Sequence, residues 1–199
     1  MRQYGFWNLY NFYVMLVTHI SIWGGVVLSQ LRCAGLKKRF ASLAIDFLVI
    51  VLWGLILLVV SLFVYFVILG FFPDFSELGM NLVSLILIFP AILYFVITEA
   101  GKKHATFGKR KMKVHVASVN TGLHLWQIIV RNLIKFLPWQ AAHMMIFHGI
   151  AFKWEFSSDL IILMGLAYIL PCVYIVFICF KKDHRGIHDL IARTIVVET

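Results

Sequence analysis

Residues 43–52 read Leu43-Ala44-Ile45-Asp46-Phe47-Leu48-Val49-Ile50-Val51-Leu52, and a single carboxylate stands in this otherwise apolar run. The run continues to about Phe72, which exceeds the ~20 residues that a membrane-spanning helix needs. Burying Asp46 without a partner is expensive, whether it faces hydrocarbon or the protein interior. The sequence therefore predicts a membrane helix in which Asp46 is paired, protonated or part of an ion path.

The composition of the whole chain indicates a membrane protein. Of its 199 residues, 62% are hydrophobic and 14% are charged, whereas ordinary soluble domains have about 45–50% and about 25%. We interpret the first apolar run as a retained helix, because it is longer than a signal core and no clear cleavage site follows it. Five crossings are predicted, at Phe6–Leu28, Leu43–Phe71, Leu82–Thr98, Leu133–Phe152 and Leu160–Phe180.

The basic residues give the predicted orientation. All 18 Lys and Arg residues except Arg2 and Lys153 fall on one side of the five runs, and the positive-inside rule places that side in the cytoplasm. The N-terminus is then outside and the C-terminus inside, in a membrane that we expect to be the bacterial inner membrane. Nucleic acid is not expected as a partner despite the net charge of +9, because the basic residues flank apolar runs.

Two polar segments predict a small cytoplasmic β-ribbon. Residues 112–117 alternate in polarity as a strand does, and residues 192–198 are rich in β-branched side chains. Neither strand is stable alone, so we expect the two to pair. The predicted fold is therefore all-α integral membrane with this two-stranded ribbon. It comprises an additional N-terminal helix at 1–36 and a membrane domain at 37–199, and no internal repeat is detectable.

Several charged residues are candidates for a polar cluster or an ion site. Arg39 precedes Asp46 on nearly the same helix face, but the two are separated by about 10 Å along the axis. Because that gap is too long for a comfortable direct bond, Asp46 needs another partner. Glu99 ends the third run, where it can pair with Arg131 or a loop lysine, or line a polar cavity with Asp46.

Two further motifs are assigned to structure and surface. The segment 101–110 does not match a phosphate-binding loop, and its Lys102, Lys103, Lys109 and Arg110 are predicted to contact anionic lipid headgroups. His184 and His188 share a helix face, but no third strong ligand is fixed by spacing. A turn in which Asp189 bonds the backbone or an arginine is favoured there. No metal, cofactor or enzymatic activity is expected.

Three blocks together resemble the RDD family of small membrane proteins, which is named for one arginine and two aspartates. Arg39 and Asp46 look like the arginine and the first aspartate, within the block 39–46. The segment 106–114 is similar to the family's Thr-x-Gly-Lys-Arg turn and following strand. Asp189 resembles the second aspartate, within the block 187–197, and Arg131 resembles a frequent arginine between them.

The resemblance implies a fold and a residue set, and transport is the activity usually suggested for this family, with sodium/proton exchange attributed to some members. One hypothesis is that Asp46 binds Na⁺ or H⁺ while Glu99 or Asp189 gates from the cytoplasm. The alternative is a non-catalytic accessory or assembly subunit, docked through the first helix. Five helices make a thin wall for a pore, so we expect a homo-oligomer or other membrane subunits as partners.

Overall fold

The computed structural model describes residues 32–71, 74–120 and 122–199, and these residues are mostly helical. The predicted first crossing, Phe6–Leu28, lies outside the described residues. The helices are α1 (Leu36–Phe63, continued by a π-helical segment at Val64–Leu69), α2 (Glu77–Ala100), α3 (Phe107–Lys111), α4 (Leu125–Ala151), α5 (Ser158–Phe180) and α6 (Ile187–Ile191). The strands are β1 (Val114–Ser118) and β2 (Thr194–Glu198).

Three of the described helices are long and apolar enough to cross a membrane, namely Leu36–Leu69, Glu77–Ala100 and Ser158–Phe180. The predicted membrane class is therefore confirmed. Helix α4 covers most of the predicted fourth crossing, but it is not among the three because polar residues such as Gln140 and His143 lower its mean hydropathy. The number of five crossings and the orientation stay predictions.

The predicted β-ribbon is confirmed. Strands β1 and β2 pair antiparallel, with Val114 opposite Glu198 and Ser118 opposite Thr194. Cys33, just before α1, forms an isolated bridge with Val197. The ribbon therefore ties the start of α1, the central loop and the C-terminus together at one end of the helices.

The described residues contain an internal repeat of element order, which was not detected in the sequence. The order α1–α2–α3–β1 recurs as α4–α5–α6–β2, and α3 and α6 each have five residues. Both short helices follow a left-handed histidine, His104 (φ 45°) and His184 (φ 52°). The repeat escaped detection because matching backbone positions hold chemically different residues, such as Lys109 and Asp189.

The two halves pack unequally. Helix α2 packs along α4 around a small core of Ile88, Ala91, Phe95 and Phe136. Helix α4 packs along α5 around a second core of Met145, Leu160 and Ala167. The repeat makes the α1–α5 pair the counterpart of the α2–α4 pair, yet α1 and α5 have almost no direct contact. A groove of about 990 Å³ lies between them instead.

Candidate functional site

The ends of α1, α2 and α4 converge on the short helices and the ribbon, and this end of the molecule holds the buried charges. Asp46, Glu99, Lys109, Arg131 and Asp189 are all buried, and Arg39 is nearly so. Buried charges are costly unless they are paired or hydrogen-bonded. Their partners therefore decide what each residue can do.

Asp46 is bound by neutral donors. Its Oδ1 accepts hydrogen bonds from the Tyr94 hydroxyl at 2.9 Å and from the backbone N–H of Gly108 at 2.8 Å. Its Oδ2 accepts one from the Thr106 hydroxyl at 2.5 Å. The side chain is buried, and within the described residues it forms no ion pair. Asp46 is thus a buried carboxylate held without a bridging cation.

The segment 106–109 is built to receive Asp46. Thr106 caps α3, because its side chain accepts from the backbone N–H of Lys109, as N-cap residues do. A Cβ on Gly108 would lie 2.2 Å from the backbone oxygen of Ser42 and 2.9 Å from Cγ of Asp46. Only glycine therefore lets α3 approach α1 this closely.

The other two acids belong to an ion-pair network, which we define as Arg39, Glu99, Lys109, Arg131 and Asp189. Arg131 bridges the two acids, with Nη1 2.6 Å from Glu99 and Nε 2.8 Å from Asp189. Lys109 also pairs with Glu99, and Arg39 lies 3.3 Å from Asp189. Each acid in the network therefore has two cationic partners.

The charges of the network determine how its members outside the membrane-spanning helices titrate. Burial alone would raise the pKa of Asp189, but the charge and hydrogen bond of Arg131 hold that pKa well below its usual range. Burial, together with the charge of Arg131, lowers the pKa of Lys109, although Glu99 opposes the shift. Asp189 is therefore fixed as a carboxylate at neutral pH.

A cavity of about 80 Å³ is lined both by Asp46 and by members of the network. Its wall includes Asp46 and Asp189, together with the cationic side chains Arg39, Lys109, Arg131 and Lys135. A cavity of this size has room for several waters. It places Asp46 and the network residues at the wall of one shared space.

The sequence-predicted site residues separate into two groups. Arg39, Glu99, Arg131 and Asp189 come together in the network. Asp46 is not part of the network but lines a cavity with Arg39, Arg131 and Asp189. Arg39 does not bond Asp46 in this structure, as the axial gap indicated. The cluster is therefore assembled from residues that are far apart in sequence.

Of the four basic residues predicted to contact lipid headgroups, three are at the surface and one is buried. Lys102, Lys103 and Arg110 line a surface crevice of about 600 Å³, where they remain available for lipid. Lys109 is a correction, because its side chain is only 6% exposed and is paired with Glu99. Within the described ranges, no group of three His, Cys, Asp or Glu side chains is placed to hold a metal.

Sequence reasoning missed the partners of Asp46. Tyr94 lies in an apolar run, and nothing in its spacing points to a residue in another helix. Thr106 and Gly108 stood inside a recognised block, and a threonine followed by glycine two positions later was the available signal. Lys135 was also missed: its ammonium lies 3.5 Å from the ring centroid of Phe95, and no described carboxylate pairs with it.

Comparison with known proteins gives one match. A family model described as the RDD family covers residues 33–193, which include both aspartates and the whole ion-pair network. No curated protein and no solved structure matches the chain. The matched range begins at the bridge between Cys33 and the ribbon and ends at the residue before β2.

Proposed function

The chain belongs to the RDD family, and from that premise we propose that it is a non-enzymatic membrane transport protein in which Asp46 takes up and releases a proton. One observation carries the proposal. Asp46 is the buried acid that has no ion pair among the described residues, whereas Glu99 and Asp189 each have two. Protonating either network acid would leave buried cations uncompensated, which is strongly unfavourable. Protonating Asp46 breaks no ion pair.

The hydrogen bonds around Asp46 support reversible protonation. Its Oδ2 accepts only from the Thr106 hydroxyl, and a hydroxyl can rotate to accept a hydrogen bond instead of donating one. A proton on Oδ2 therefore keeps a partner. The backbone N–H of Gly108 and the hydroxyl of Tyr94 continue to hold Oδ1 in either state.

The cavity beside Asp46 favours a proton over Na⁺ as the ion. Four cationic side chains line it against the two carboxylates of Asp46 and Asp189. The surplus of positive charge opposes Na⁺ and H⁺ alike, but a proton can be passed along waters without fitting a hydrated ion into about 80 Å³. Sodium is consequently the weaker of the two ion hypotheses.

The internal repeat is consistent with a transporter. Repeated halves are common in transport proteins, where sites lie at the interface between repeats and the halves move against each other. Here the cavity is lined by residues of both halves, for example Asp46 and Lys109 from the first and Arg131 and Asp189 from the second. In this proposal Arg39 and Asp189 join the halves on the cytoplasmic side of the bacterial inner membrane.

Reconstitution into liposomes tests the proposal. Wild-type protein is expected to dissipate an imposed pH gradient, monitored with an entrapped pH-sensitive dye, and Asp46→Asn is expected to abolish that flux. Asp183→Asn is the matched control, because Asp183 pairs with Arg185 two residues away and lies outside the cavity. Equal flux from Asp46→Asn and wild type, with both variants folded by size-exclusion chromatography, overturns the proposal.

A second candidate function is that of an accessory or assembly subunit. The observation that favours it is the exposure of α1: the most apolar 18-residue stretch of this helix buries no residue. Such a helix can dock another membrane protein or a second copy of this chain. Stoichiometric co-purification with a partner in mild detergent supports this candidate, and a homogeneous single-chain species without partners counts against it.

A further inference from the structure

The groove between α1 and α5 and the cavity beside Asp46 share part of their lining. Leu43, Lys135, Ile178 and His188 border both spaces. The groove itself is lined by apolar side chains, among them Phe47, Trp139 and Ile175. A ligand that enters the groove with a polar end can therefore place that end beside the buried charges.

The charges at this junction are unbalanced. Asp46 and Asp189 line the cavity, and Glu99 lies outside the lining but pairs with Lys109 and Arg131. These three carboxylates stand against four cations, namely Arg39, Lys109, Arg131 and Lys135. Lys135 is the one of these four cations that lies within ion-pair distance of no described carboxylate, and its ammonium lies over the rings of Phe95 and Phe136. One anionic group on a ligand would restore the balance.

His188 adds a second unsatisfied group at the same junction. It is buried, it borders both spaces, and its Nδ1 has no hydrogen-bond partner in the described structure. Buried polar atoms without partners are uncommon in folded proteins. A polar group of a ligand at this junction could supply the partner that His188 Nδ1 lacks among the described residues.

From these observations we propose that the groove binds an anionic phospholipid, with its acyl chains between α1 and α5 and its phosphate at Lys135. The groove volume of about 990 Å³ is at the upper end of the about 300–1,000 Å³ of small-molecule sites. Its sides are formed by two helices apolar enough to cross a membrane, so lipid is present wherever the groove faces the bilayer. A zwitterionic lipid leaves the charge of Lys135 unbalanced. The site goes beyond the proposed proton transport, because it does not require Asp46 to titrate.

Fluorescence quenching in vesicles tests the site. The full chain is reconstituted in phosphatidylcholine doped with brominated phosphatidylglycerol or, separately, with the same fraction of brominated phosphatidylcholine. Trp139 lies in the groove, and its signal is the difference between wild type and Trp139→Phe. We expect about fivefold stronger binding of the anionic lipid, the preference expected for one lysine beside an anionic headgroup.

The variants separate the site from general surface charge. Lys135→Gln is expected to remove the preference for the anionic lipid, Lys135→Arg to keep it, and the surface control Lys102→Gln to leave it unchanged. Ala44→Phe adds bulk to the groove lining without adding a tryptophan and is expected to reduce quenching by both lipids. It remains informative if the Lys135 variants fail to fold.

Three outcomes overturn the proposal. Equal quenching by the two lipids means that Trp139 meets only bulk bilayer. No quenching by either lipid means that protein covers the groove, either the apolar segment Phe6–Leu28 or a second copy of the chain. A preference that survives Lys135→Gln means that the anionic lipid is held elsewhere. The assay measures binding without flux, so failed proton transport leaves its result interpretable.

Discussion

Asp46 and members of the ion-pair network line the same small cavity, yet the buried carboxylates of the two groups are held by different chemistry. Asp46 is bound by two hydroxyls and one backbone N–H, whereas Glu99 and Asp189 share Arg131 and have one further cation each. The comparison shows that burial alone does not define an ion site. A carboxylate paired with two cations is held by charge, whereas the one held by neutral donors is the group to which the proposed function assigns the proton.

The largest expected effect comes from removing the residue that joins the network. Arg131→Met leaves Glu99 and Asp189 buried with one cationic partner each instead of two. Breaking a buried ion pair costs about 3–5 kcal/mol. We expect the free energy of unfolding, measured in mixed detergent, to fall by that amount. Arg185→Met is the control, because the Arg185–Asp183 pair is partly exposed and such pairs contribute at most about 1 kcal/mol. Equal losses in the two variants would contradict the distinction.

A smaller effect is expected on the Asp46 side. Gly108→Ala forces a Cβ against the backbone oxygen of Ser42, and overpacking of this kind costs about 1–3 kcal/mol. The clash also pushes α3 and its donors away from Asp46. Gly54→Ala is the matched control, because a Cβ at Gly54 meets nothing within 4 Å. If Gly108→Ala is as stable as Gly54→Ala, the close approach of α3 to α1 is not required.

The smallest expected effect, about 1.4 kcal/mol for each pH unit below 6.5, is a pH dependence at His188, which lines the cavity together with Asp189, Arg131 and Lys135. Burial lowers the pKa of His188 from 6.5 to about 3, with Asp189 opposing and Arg131 adding to the shift. The unfolded state therefore takes up this proton first as the pH falls, so stability is retained above about pH 6.5 and declines from there toward pH 3. His188→Gln is expected to flatten that decline in the thermal unfolding midpoint. An unchanged slope would show that other groups cause it.

Much of the fold was accessible from sequence, because apolar runs and alternation act locally. The membrane helices and the ribbon strands followed from residues such as those at 43–52 and 112–117. The internal repeat could not be predicted from the sequence, because the two halves share backbone conformation but differ in side chains. Gly108 corresponds to His188, and Lys109 corresponds to Asp189.

Only part of the candidate site could be predicted from the sequence, for a related reason. Arg39, Asp46, Glu99, Arg131 and Asp189 could be selected as charges near apolar runs. Their pairing depends on which helix ends meet, and that is a tertiary property. Lys109 was therefore placed at the lipid surface although it is buried against Glu99, and Tyr94 was not recognised as a partner of Asp46.

Infrared difference spectroscopy tests the central claim most directly, because a protonated carboxylic acid absorbs at a different frequency from a carboxylate. Spectra of the wild-type protein are recorded across the pH range 4 to 8, with Asp46→Asn and Asp189→Asn as the paired variants. We expect a protonated-acid band that appears as the pH is lowered, persists in Asp189→Asn and is absent from Asp46→Asn. A band that persists in Asp46→Asn and disappears in Asp189→Asn would contradict the assignment of the proton to the carboxylate held by neutral donors.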